Sequence, residues 1–473
     1  MLLNRFHVSP AGGMWFVVGI LLWLFVAVVY RIYFRPETMT RMEDVPVESL
    51  FDVSGGTRAF LTKEKAEELL KQLLDADNAY TRIRLGNWSF GIDAADVAAR
   101  ALSSMKSRLV DVDLADIVAG RPEAEALKVM SIFSSALEGS QLRSLNLSDN
   151  ALGEKGVRAF SSLLKSQKSL EKLYFMNNGI SEEAAQAICE LVPFSGNLRV
   201  LHFHNNMSGD GGAQALADFV RTATKVEDFQ FSSTRVGVDG AIALVEALRT
   251  GKSLKRLDLR DNMYGPEGGL ALAETLKLHP ELQEVYLSDL GLEDEGATAV
   301  LKALAEVGSH VEVLELGGNE ITEKAAPALV SCIRAMKSLR RLVLSENELK
   351  DKGAVAVSQA LLEGHESLEV LDLSENMLGR IGAVAAAQTA AKKKSFKSLN
   401  LNSNYISEGG LEVLKEVLSK GATGLKVLGS LDENDEDGED EEETGDEEEE
   451  EDDDEERECP CCIGKTRFED LAL

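Results

Sequence analysis

Residues 170–181 read L-E-K-L-Y-F-M-N-N-G-I-S. Leu170, Leu173 and Phe175 stand at the spacing of a short strand, whose alternate side chains face opposite sides. Asn178 and Ile180 close the turn behind it. The same frame recurs along the chain. Its first apolar position falls at Tyr80, Leu109, Leu142, Leu170, Leu198, Val226, Leu254, Leu282, Val311, Leu339, Leu368 and Phe396, and from Leu142 onward every step is 28 or 29 residues. That period lies at the long end of the leucine-rich-repeat range.

Eight positions after the first apolar residue, eight of the ten units from Leu142 carry asparagine: Asn150, Asn178, Asn206, Asn262, Asn319, Asn347, Asn376 and Asn404. Buried there, an asparagine can satisfy backbone groups of its own turn and of the next unit that would otherwise be left unpaired. Six residues further on, all ten units have Gly or Ala, from Gly156 to Gly410; this predicts a helix starting close against the strand layer. The helices that follow are apolar on one side only. The pattern predicts an α/β fold, a ribonuclease-inhibitor-like leucine-rich-repeat solenoid shaped as a horseshoe, with an inner parallel sheet and outer helices.

Composition shifts set the boundaries. Residues 1–35 form an N-terminal segment in which 12–30 carry no charge, just long enough to cross a bilayer as a helix. Arg31, Arg35 and Arg41 follow it, which predicts an uncleaved anchor with the body of the protein in the cytosol, against the competing reading of a cleaved signal peptide, for which no small-x-small cleavage site stands out. Residues 36–79 read as a linker and N-terminal cap, 80–430 as the solenoid of about 12 repeats, and 431–473 as an acidic, disordered tail with a Cys-containing end. Of the formal net charge of −30, residues 432–458 carry most, with 22 Asp or Glu against one Arg. Such a balance excludes nucleic acid, which demands clustered Lys and Arg.

No constellation resembles an active site of the chain's own. His202 and His204 flank Phe203 and are expected to be solvated surface histidines. The G-K-S at 251–253 follows a helix and lacks the preceding glycine of a phosphate loop. Cys459, Cys461 and Cys462 have no fourth zinc ligand near them. What remains is a rim. The position before each ladder asparagine reads Asp149, Asn177, Asn205, Ser233, Asp261, Asp289, Gly318, Glu346, Glu375 and Ser403. These types vary, so the repeat is not expected to dictate Asn177, whereas it does dictate Asn178.

Four stretches carry a more specific signal than the period, above all in the non-consensus words A-G-R-P and M-N-N-G: F-D-V-S-G-G-T-R-A-F at 51–60, V-A-G-R-P-E-A-E-A-L at 118–127, L-N-L-S-D-N-A-L-G-E-K-G at 145–156 and L-Y-F-M-N-N-G-I-S at 173–181. Through them the chain resembles the Ran GTPase-activating proteins, and their plant branch in particular, over roughly residues 48–456. The resemblance implies a GTPase activator that stimulates GTP hydrolysis by Ran in trans and supports nucleocytoplasmic transport, with no enzyme active site of its own. It implies a Ran-type small GTPase in the GTP form as partner, with Ran-binding proteins as further partners. It implies no cofactor, since GTP and Mg²⁺ belong to the GTPase.

The resemblance assigns Asn177 as the activating residue, which orders the GTPase's own catalytic glutamine, and Arg121 as an interface anchor or loop organiser. Asp149, Asn205 and Asp261 are expected to bind the partner along the rim. The family's plant members carry a Trp-Pro-Pro targeting domain at the N-terminus, and this chain has the apolar run instead. The expected location is the cytoplasm and the cytosolic face of the nuclear envelope, with the N-terminal helix as a membrane contact. The alternative reading is a membrane-tethered leucine-rich-repeat scaffold or inhibitor with no effect on GTP hydrolysis.

Overall fold

The computed structural model describes residues 50–75 and 77–434. Thirteen three-residue strands form one parallel sheet in which spatial order follows sequence order. Lys172–Tyr174 is typical: it pairs with Ser144–Asn146 on one side and with Val200–His202 on the other. The register aligns Leu145, Leu173 and Leu201, each fully buried beneath the sheet. No three-residue strand is stable alone. Each is held because its neighbours complete its hydrogen bonds and its leucine joins a continuous core.

The ladder asparagines supply the second set of bonds. Asn206 donates from Nδ2 to the Phe175 carbonyl, 3.0 Å, while its Oδ1 accepts from the backbone N–H of Asn178 and Ile180, both 3.0 Å. One side chain thus satisfies three backbone groups of the preceding unit. Thr234 stands in for asparagine in one unit, and its hydroxyl donates to Asn262 Oδ1 at 3.0 Å.

The small residues at the helix starts do more than the sequence-based expectation assigned them. A Cβ on Gly240 would lie 2.8 Å from the Asp210 Cα, and one on Gly296 would lie 3.0 Å from the Pro266 Cα. Here the crowding is against the helix of the preceding unit, whereas Gly156, Gly268 and Gly353 crowd the buried Leu152, Tyr264 and Leu349 of their own units, so the small residues serve both the spacing between helices and the close start of each helix. Asp210 uses that closeness: its Oδ1 accepts from the Gly237 and Gly240 N–H groups at 2.7 and 3.2 Å, capping its neighbour's helix.

Both ends of the array are closed. The sheet begins inside the region assigned to the cap, where Leu50–Asp52 pairs in parallel with Arg82–Arg84. A separate pair, Ala59–Leu61 with Trp88–Phe90, lies beside it. At the other end, Leu428 bridges to Leu399, and Asn434 Oδ1 accepts from the Asn404 N–H at 3.0 Å. Asn434 therefore does for the last unit what a further ladder asparagine would do. No helix among the described residues is long and apolar enough to cross a membrane. The apolar run at 12–30, the acidic run from 435 and the three C-terminal cysteines lie outside the described residues.

Candidate functional site

Asn177 leaves the strand Lys172–Tyr174 two residues after Phe175, which is fully buried and stacks on Phe203 with ring centroids 5.5 Å apart. The backbone then turns through the left-handed region, with φ of 52° at Asn177. All ten rim positions named above share this conformation, and the column extends back to Asp116 and Asn87. Left-handed backbone disfavours most L-residues and suits Gly, Asn and Asp best. The repeat therefore restricts the column after all: its amides and acids are there partly because the turn tolerates them. Within that restriction, asparagine at 177 is one choice among several.

The two adjacent asparagines have opposite environments. Asn178 is buried; its Nδ2 donates to the Leu147 carbonyl at 3.0 Å and its Oδ1 accepts from the Asn150 N–H at 2.9 Å. Asn177 is exposed and bonds only along the rim. Its Nδ2 donates to Asp149 Oδ1 at 2.8 Å, and its Oδ1 accepts from Asn205 Nδ2 at 3.0 Å. A primary amide has two N–H donors and two acceptor lone pairs. Asn177 thus retains one of each for an outside partner.

The structure brings Asp149, Asn177 and Asn205 into one hydrogen-bonded row. Asp261 lies on the same rim two units beyond Asn205, about 10 Å further along at ordinary strand spacing. Arg121 sits elsewhere. Its Nε donates to Ser89 Oγ at 3.1 Å, Nη2 to the Ser89 carbonyl at 2.7 Å and Nη1 to Glu125 Oε1 at 3.2 Å. Its guanidinium also lies over the Phe60 ring, 4.7 Å from the centroid. Three of its five N–H donors are committed, and only 15% of the side chain is exposed. Of the two roles expected for it, this geometry fits the loop organiser, tying the loop before Glu123–Leu137 to both strands of the small sheet.

Three features escaped the sequence reading. Arg58, with 59% of its side chain exposed, forms an ion pair with Asp116, Nη2 to Oδ2 at 2.6 Å and Nε to the same oxygen at 2.7 Å. Asp116 belongs to the rim column, at the same offset after Leu109 that Asn177 has after Leu170, so the period could have found it. Burial raises the Asp149 carboxyl above its ordinary range; Asp116 adds to this, and the Asn177 amide and Arg58 oppose it. Beside the rim, one position after each ladder residue, stand Met207, Arg235 and Met263 in successive units, all exposed. Exposure reaches 67% at Met263.

The histidines depart from expectation as well. His202 and His204 are half-buried, not solvated. His202 Nε2 lies 3.0 Å from Asp228 Oδ1, and burial, then His202, pushes the His204 imidazole down to about 4. Among the described residues no group of three His, Cys, Asp or Glu is placed to hold a metal.

The leucine-rich-repeat family model matches residues 141–161, 252–273 and 335–358. RAN GTPase-activating protein 2 of Arabidopsis thaliana is 65% identical over 395 residues, covering 84% of this chain and 72% of the relative. The chain belongs to the Ran GTPase-activating protein family. Ran GTPase-activating protein 1 of Xenopus laevis is 34% identical over 114 residues, 24% of this chain and 19% of that protein. The ribonuclease inhibitor of Mus musculus matches at 30% over 109 residues, 23% of this chain and 24% of that protein, in keeping with the shared solenoid.

Proposed function

We propose that this chain stimulates GTP hydrolysis by a Ran-type GTPase in its GTP form, and that Asn177 is the residue that does so. The observation that carries the reading is the exposed Asn177 carboxamide, held at both ends by rim neighbours yet retaining one N–H and one lone pair. A primary amide on the GTPase, its catalytic glutamine, can take both, and is then held where it orients the attacking water. This is catalysis by positioning, with nothing covalent for the activator to do. GTPase activators supply up to about 10⁵ in rate, about 7 kcal/mol of barrier.

The rest of the rim supports docking. Asn205 and Asp261 offer polar contacts, and Met207, Arg235 and Met263 add apolar area and a cation, the residue types enriched at interface cores. Arg121 contributes by fixing the loop under the N-terminal end of the rim. The GTPase brings its own GTP and Mg²⁺. The cellular setting that goes with this activity is the cytoplasm and the cytosolic face of the nuclear envelope, in support of nucleocytoplasmic transport, with Ran-binding proteins as further partners and residues 12–30 as the membrane contact. The test is single-turnover hydrolysis of Ran-bound GTP with and without the chain. Acceleration by several orders of magnitude is expected; an unchanged rate would leave the chain a binding scaffold only.

A further inference from the structure

Asn177 can meet a glutamine only if its amide is the right way round. The two ends of a carboxamide are nearly the same size, so shape alone does not choose between them. Charge does. An ionised carboxylate is an acceptor only, and Asp149 Oδ1 sits 2.8 Å from Asn177 Nδ2. Turning the amide over would set oxygen against oxygen at that distance. On the other side Asn205 presents Nδ2 to Asn177 Oδ1 at 3.0 Å and favours the same orientation.

We propose that Asp149 is a positioning residue for the activating amide: its carboxylate fixes which end of the Asn177 side chain the partner meets, and Arg58, paired with Asp116, offsets part of that neighbour's repulsion. The inference rests on the reading of Asn177 as the activating residue. Asp149 and Asp116 occupy consecutive positions of the rim column, so two carboxylates stand in adjacent units. Like charges this close oppose one another. Arg58 places both Nε and Nη2 on Asp116 Oδ2, while Asp116 Oδ1 is buried with no hydrogen-bond partner. An acid buried in this state needs its cation. The row therefore runs from a cation through two carboxylates to two amides, and the hydrogen bonds from Asn177 to Asp149 and from Asn205 to Asn177 give the amides one polarity.

The experiment is single-turnover hydrolysis of Ran-bound GTP over a range of concentrations of the full chain, separating maximal rate from half-saturating concentration. Five proteins are compared: wild type, Asp149→Gly, Asp149→Asn, Asn177→Gly and the Asp149→Gly, Asn177→Gly double variant. Glycine is chosen because Asp149 and Asn177 have φ of 62° and 52°, which glycine adopts without strain. Asp149→Gly is expected to lower the maximal rate by about ten- to a hundredfold, the usual cost of a misplaced group, with half-saturation changed less than about threefold. Added to Asn177→Gly it should have no further effect, since its only route is through that amide. Asp149→Asn, which keeps an acceptor oxygen, should recover part of the rate.

An Asp149→Gly effect of equal size in both backgrounds would show that Asp149 touches the GTPase itself and would overturn the inference. So would a maximal rate indifferent to Asp149 while Asn177→Gly abolishes it. If the wild-type chain gave no acceleration, the parent reading would fall and this inference with it.

Discussion

Asn177 and Asn178 are neighbours in sequence, yet the first bonds outward along the rim and the second inward to the Leu147 carbonyl. One asparagine belongs to the scaffold and the other is free to serve a partner.

The division predicts separable lesions. Asn178→Ala orphans the Asn150 N–H inside the core and takes from the Leu147 carbonyl one of its two donors, the other being Asn150 Nδ2, at about 1–3 kcal/mol for the unsatisfied group. Asn177→Gly removes only exposed bonds and is expected to cost less than about 1 kcal/mol. Urea unfolding of the two variants checks the contrast. Equal losses would show that the rim row also holds up the solenoid.

Arg121 should behave as a clamp whose geometry matters more than its charge. Arg121→Lys keeps the cation but cannot reach Ser89 Oγ, the Ser89 carbonyl and Glu125 together. A stability loss of about 1.5–3 kcal/mol is expected, the scale of charged hydrogen bonds, along with faster proteolysis in the segment 117–122. A lysine variant as stable as wild type would count against the clamp.

Docking and activation should also come apart. Truncating Met263 or Arg235 to alanine is expected to raise the half-saturating concentration by about tenfold, as loss of an interface contact worth 1–2 kcal/mol does. The maximal rate should stay as in wild type. A change confined to maximal rate would place these side chains at the chemistry instead.

Burial pushes His279 down to about 4, and its Nε2 lies 3.2 Å from the Leu248 carbonyl. An imidazole kept neutral when folded, but protonated below about 6.5 when unfolded, contributes stability that is present above that pH and lost as pH falls toward 4. His204, also at about 4, acts in the same sense. Asp289 acts oppositely: burial, then Glu346 and Asp261, pushes it up to about 6, so acidification relieves it. The melting midpoint should therefore fall between pH 6.5 and about 4.5. His279→Gln, which still offers a donor to Leu248, should flatten that fall, and Asp289→Asn should steepen it. Differential scanning fluorimetry across this range reads both; an unaltered slope in His279→Gln would refute the assignment.

Much of this was legible in the sequence because a repeat states its rule many times. The strand leucines, the ladder from Asn150 to Asn404 and the register of the sheet all follow from period and residue type. Asn177 stood out as the residue the ladder does not require. Dihedral angles are not written in a period, however, so the left-handed turn that constrains the whole rim came only with the structure. Arg58 lay in a quoted stretch without a role, because its partner Asp116 is 58 residues away and no local pattern joins them. The small residues at helix starts were recognised, but not that some of them also space neighbouring helices, since spacing along one unit does not reveal contact between two.

The central claim is that the Asn177 amide converts binding into activation. Its most direct measurement is the maximal single-turnover rate of Ran-bound GTP hydrolysis with saturating Asn177→Gly protein, alongside its affinity for the GTP-bound GTPase. The account predicts a rate reduced by at least about a hundredfold, affinity within about threefold of wild type and an unchanged melting midpoint. A variant that binds and accelerates as wild type does would contradict it.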